Sequence, residues 1–119
     1  MRLVDYTLMK RATLRDLRRG RVSRNDVCDA HPELLRAARN VGELIRTPCP
    51  VCAEDSLVSV TYVFGDALRN ASGRVWPSDG LAALHRSLDE FACYVVEVCT
   101  SCNWNHLTQR YLLGRLHAG

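Results

Sequence analysis

The sequence predicts an α+β fold. A helical N-terminal segment over residues 1–47 leads into a three-stranded antiparallel ribbon over 48–119, and the two form one compact unit. Three observations predict it. The front of the chain carries helical stretches bounded by glycine and proline, while the back alternates apolar and polar residues with the period of a strand. Two Cys-x-x-Cys pairs, Cys49/Cys52 and Cys99/Cys102, bracket the first two strands. With 119 residues, 47% hydrophobic and 24% charged, the chain has material for one core and not for two.

Residues 3–19 read as a first helix, with no proline or glycine inside and Gly20 placed to end it. Its apolar positions (Leu3, Val4, Leu8, Met9, Leu14, Leu17) make no clean stripe, but Arg11, Arg15 and Arg18 fall at i, i+4 and i+7 with Arg19 beside them. Ser23 with Asp26 has the spacing of a capping box that opens a short second helix. Pro32 suits the first position of a third, whose Leu34, Leu35, Ala38 and Val41 make a buried face and which Gly42 stops. Val58, Val60, Tyr62 and Phe64 then alternate with Ser59, Thr61 and Val63 as a strand. Phe91–Val98 is a second strand and His106–Leu113 a third. Between the first two lie the turn-rich stretch 65–76 and a helix after Pro77, capped by Ser78 or Asp79, with Leu81, Leu84 and Leu88 on one face.

The order knuckle, strand, helical insertion, strand, knuckle, strand is that of a zinc ribbon. Zn²⁺ takes four ligands in a tetrahedron, and a Cys-x-x-Cys turn brings two thiolates to one ion. The 46 residues between Cys52 and Cys99 exceed the usual spacing of roughly 15–20, and the insertion accounts for the excess because strand pairing returns the knuckles to each other. Pro50 fits the first turn, Ala53 stands where glycine often follows the second cysteine, and Asn103 tolerates the left-handed conformation at the matching place. The expectation is one structural Zn²⁺ on Cys49, Cys52, Cys99 and Cys102. Four thiolates leave no open position for substrate or water. A redox dithiol is the rival reading.

Other candidates read more plainly. His106 can replace a thiolate, but with four cysteines present its place is beside the ligands or on the surface. Cys28 and His31 form a Cys-x-x-His; a second site would need partners among Cys93, His85 and His117, whose spacing is unmatched. The simpler reading is a buried thiol beside a helix-capping histidine, with Cys93 a small core residue. Trp104, just past the second knuckle, is expected to pack against it, with exposure to a partner as the alternative, and Trp76 stands open to either packing or exposure.

The net charge of +3 is uneven. Residues 1–47 hold eleven Lys or Arg against six Asp or Glu, and residues 48–119 hold five against seven. A basic front and a mildly acidic back suit a contact between the face of Arg11, Arg15, Arg18 and Arg19 and an anionic partner, although a solvated helix face explains the same row. No secretory run or membrane-length apolar stretch occurs, so a cytoplasmic, reducing setting is expected, with no membrane partner.

The chain resembles a family of small actinobacterial proteins of unknown function that share a CPxC…CxxC pair. The resemblance rests on Val27-Cys28-Asp29-Ala30-His31-Pro32 running into Leu34–Arg39, on Pro48–Cys52, on Tyr62–Asp66, and on Tyr94–Cys99 continuing through Cys102-Asn103-Trp104-Asn105-His106-Leu107. It implies a cytoplasmic protein, agrees with the ribbon, and implies no activity. No nucleophile–base constellation, Gly-rich phosphate loop or His-Glu-x-x-His occurs, so the chain reads as non-enzymatic, without a small-molecule substrate. The leading expectation is a transcription-associated module docking on RNA polymerase. Direct nucleic-acid or ribosomal RNA binding, and a structural adaptor for an unrelated protein, are the alternatives.

Overall fold

The computed structural model describes residues 2–54 and 56–115. Strand β1 (Leu3–Asp5) is followed by helices α1 (Thr7–Arg18), α2 (Arg24–Val27) and α3 (Pro32–Val41), and by strands β2 (Glu43–Leu44) and β3 (Leu57–Phe64). A 3-10 segment (Asp66–Ala71), β4 (Arg74–Val75), a 3-10 turn (Ser78–Gly80) and α4 (Leu81–Ser87) fill the insertion before β5 (Phe91–Cys99) and β6 (Asn105–Leu113). The sheet is six-stranded and antiparallel, ordered β1-β6-β5-β3-β2, with β4 paired to β3.

The three long strands stand at the expected positions, and three short strands enlarge the sheet. Residues 3–5, expected as the start of the first helix, are instead an edge strand pairing Leu3 with Tyr111 and Asp5 with Gln109. Two polar contacts turn the chain into α1: Tyr6 donates its N–H to the Thr108 carbonyl (3.0 Å), and the Thr7 N–H donates to Asp5 Oδ1 (2.7 Å). The Ser23/Asp26 capping box is present, and Pro32 opens α3, which His31 caps by accepting the Glu33 N–H at Nδ1 (3.1 Å). α3 ends at Gly42, where the chain turns extended and only glycine fits, since an added Cβ would meet the Ala38 carbonyl at 2.3 Å. Neither Ser78 nor Asp79 caps α4. Ser78 instead gives its N–H and hydroxyl to the Glu43 carboxylate (2.8 and 2.7 Å), tying the insertion to β2.

Alternation along the strands builds two faces. On one, Val63, Phe91 and Cys93 pack with Leu68 and Leu81 of the insertion, and Leu84, Leu88 and Trp76 close over them. On the other, Val60 and Val98 pack under Ala30 and Ala38, with Leu34 and Leu35 of α3 alongside. A third cluster, Cys49, Leu57, Cys99 and Trp104, lies at one end of the sheet against Leu14 of α1 and Val27 of α2. Among the described residues no helix is long and apolar enough to cross a membrane.

Candidate metal centre

Two turns of matching construction meet at that end. In the first, the Ala53 N–H returns to the Cys49 carbonyl (2.9 Å) and the Val51 N–H points at Cys49 Sγ (3.4 Å). In the second, the Asn103 N–H returns to the Cys99 carbonyl (2.9 Å) and the Cys102 N–H points at Cys99 Sγ (3.5 Å). Each turn closes through a left-handed residue, Ala53 at φ +65° and Asn103 at φ +71°. Asparagine accepts that conformation readily, whereas alanine bears its steric cost.

Pairing of β3 with β5 sets Leu57 opposite Cys99, which draws the two turns together across the insertion. The sulfurs of Cys49, Cys52, Cys99 and Cys102 all lie within 4.8 Å of one another. Cys49 Sγ is 3.7 Å from Cys102 Sγ, and Cys52 Sγ is 3.6 Å from Cys99 Sγ. An S₄ tetrahedron with metal–sulfur bonds of about 2.3 Å has edges of about 3.8 Å, so the set can hold a metal ion.

The thiols sit in unequal electrostatic surroundings. Burial pushes the Cys49 and Cys102 thiols up, and for Cys102 the adjacent sulfurs of Cys28, Cys49 and Cys99 add to the rise. Burial also opposes ionisation of Cys99, but the Ser56 hydroxyl (3.1 Å) and the N–H groups of Cys102 and Ser101 outweigh it and bring it down to about 6. Four sulfurs at these separations cannot all carry charge alone, and a divalent cation among them reverses that balance.

Around the sulfurs lies a shell in which Trp104 packs against the second turn, as expected, and long-range polar partners join it. Trp104 is fully buried, stacks on His106 (centroids 5.7 Å apart), and donates its Nε1–H to Glu97 Oε2 at 2.8 Å. The other carboxylate oxygen of Glu97 accepts from Lys10 Nζ at 2.7 Å, so a nearly buried ion pair ties α1 to β5 behind the second turn. The 28–30 loop clasps that turn from the other side. Ala30 donates its N–H to the Asn103 carbonyl (3.1 Å), and Asn105 donates from Nδ2 to Asp29 (3.0 Å).

Cys28, expected as a buried thiol, is half-exposed and stands 3.6 Å from Cys102 Sγ, with the Arg24 guanidinium beside both sulfurs. His31 is engaged in capping and His106 in stacking. His85 accepts the Gly114 N–H (2.9 Å), and His117 lies outside the described residues. Cys93 is a fully buried core residue. Among the described residues the four-cysteine set is the one cluster suited to a metal. Arg11, Arg15 and Arg18 are exposed on α1 and Arg19 is exposed just past its end, and no acidic side chain among the described residues pairs with them.

The fold and site thus define a mixed α/β protein, a six-stranded antiparallel sheet with a four-cysteine cluster at one end. The chain belongs to the family of unknown function DUF5318, whose model matches residues 1–118. It is 44% identical over 111 residues to the uncharacterized proteins Rv0049 of Mycobacterium tuberculosis and Mb0050 of Mycobacterium bovis, covering 93% of this chain and 81% of each relative. No solved structure matches at a significant level.

Proposed function

We propose that this protein is a non-catalytic binding module held in shape by one structural Zn²⁺ on Cys49, Cys52, Cys99 and Cys102. The three central strands and the two turns then form a zinc ribbon enlarged at its edges. The observation that carries this reading is the closed set of four sulfurs within 4.8 Å, a donor set that suits Zn²⁺ and leaves it no position for substrate. Arg11, Arg15, Arg18 and Arg19 are the contact face for an anionic partner, since the charges of the first three add on one exposed side of α1 and Arg19 follows at its end. RNA polymerase is the first partner to test, by analogy with other zinc ribbons that dock there.

The test has two parts. Metal analysis of the purified chain should give one zinc, and none or two would overturn the metal reading. Affinity capture from cells, with wild type and an Arg11→Ala/Arg15→Ala/Arg18→Ala variant, should recover polymerase subunits with wild type only. The variant should keep its zinc and fold, because exposed substitutions cost within about 0.5 kcal/mol each. Ribosomal proteins or RNA in the capture would move the assignment to direct nucleic-acid binding. Equal recovery by the variant would return the arginines to a solvated face.

A further inference from the structure

A fifth thiol touches the four-cysteine set without belonging to it. Cys28 Sγ lies 3.6 Å from Cys102 Sγ, as close as the sulfurs within the set are to each other. The contact is built into the fold, because the Ala30 N–H and Asp29 carboxylate pin the 28–30 loop onto the second turn through Asn103 and Asn105. Cys28 is partly open to solvent and Arg24 stands beside it, whereas the sixth thiol, Cys93, is fully buried at the far side of the core.

We propose that Cys28 and Cys102 form a peroxide-sensitive pair whose oxidation to a disulfide takes a ligand away from the metal. When a cation engages the other four sulfurs, Cys28 is the accessible sulfur left free to react. It attacks hydrogen peroxide, giving a sulfenic acid and one water; the Cys102 thiolate attacks that sulfur, forms the S–S bond and expels hydroxide. The two sulfurs give up two electrons, and the peroxide oxygens leave as one water and one hydroxide. Three thiolates remain on the ion, the coordination opens, and the metal is released. The release rests on the metal reading above.

Tryptic mapping decides it. Cleavage after arginine puts Cys28 in residues 25–36, Cys49 and Cys52 in 47–69, and Cys93, Cys99 and Cys102 in 87–110. The whole chain is loaded with Zn²⁺, its metal content read, and a few equivalents of hydrogen peroxide added, with zinc release followed by a chromogenic chelator. The expected product links 25–36 to 87–110, fragmentation places the bond at Cys102, and zinc leaves on the same time course. Cys28→Ser, or Cys28→Ala if the serine variant folds poorly, should start with one zinc and release it more slowly than wild type by about fivefold at least. A first link between 47–69 and 87–110, or release from the variant at the wild-type rate, overturns the pair. A chain that holds no zinc before peroxide counts against the metal reading alone, and the peptide map of that chain still decides the pair.

Discussion

Lys10→Met should destabilise the protein by about 3 kcal/mol, and a second substitution should return part of the loss. Glu97 is 4% exposed and each of its oxygens has one donor, Lys10 Nζ at 2.7 Å and Trp104 Nε1 at 2.8 Å. Methionine keeps the apolar stem of the lysine and removes the ammonium, leaving a buried carboxylate with a single neutral donor. Breaking one side of a buried pair costs about 3–5 kcal/mol, and the lysine's 26% exposure puts this site at the low end. Glu97→Gln removes the buried charge and keeps an acceptor for Trp104, so Lys10→Met/Glu97→Gln should be more stable than Lys10→Met by about 1 kcal/mol or more. Urea unfolding of the metal-loaded protein measures all three, with unchanged slopes as the control for two-state behaviour. A Lys10→Met loss below about 0.5 kcal/mol, or a double variant as unstable as the sum of its singles, would refute the idea that an unpaired buried charge sets the cost.

Cys52→Ser should lose the metal and, with it, much of the about 10–16 kcal/mol that binding supplies in small zinc domains; circular dichroism should show the sheet melted. Cys93→Ser should keep the metal, since that sulfur is fully buried among Val63 and Phe91, and metal analysis with a thermal melt should show a stability loss only. In the folded protein Cys93 should also resist alkylation at neutral pH, because burial pushes its thiol up to about 11. Ala53→Gly should stabilise the holo protein by about 0.5–1 kcal/mol in denaturant melts, because φ there is +65° and glycine removes the Cβ penalty; a destabilised variant would mean that the methyl group packs.

The parts of the fold readable in advance are those set by neighbours in sequence. Val58–Phe64 alternates under one helix and one insertion, so its period shows in the residues themselves, and Ser23, Pro32 and Gly42 act within a turn of where they stand. The thiol turns are local for the same reason. Leu3–Asp5 is different. Three residues carry no period, and their strand exists because β6, more than 100 residues on, offers its edge. Ser78 resembles a cap until Glu43, 35 residues earlier, takes both of its donors. Lys10 with Glu97 and Cys28 with Cys102 are 87 and 74 residues apart, and no local pattern announces such contacts.

Pairing of Leu57 with Cys99 makes the thiol cluster a check on the whole β3–β5 ladder. Strand side chains alternate between faces, so a slip of one residue turns every one of them over. The valine-rich run of β5 would tolerate such a slip in its own packing better than a strictly alternating strand. The sulfurs would not, because Cys99 would swing to the opposite face and leave Cys49, Cys52 and Cys102 one donor short. A metal on those four sulfurs therefore selects one alignment of two strands whose hydrophobic residues alone would discriminate less sharply. Because it reads only the end of the ladder, the excursion from 65 to 90 is free to change length without disturbing that selection.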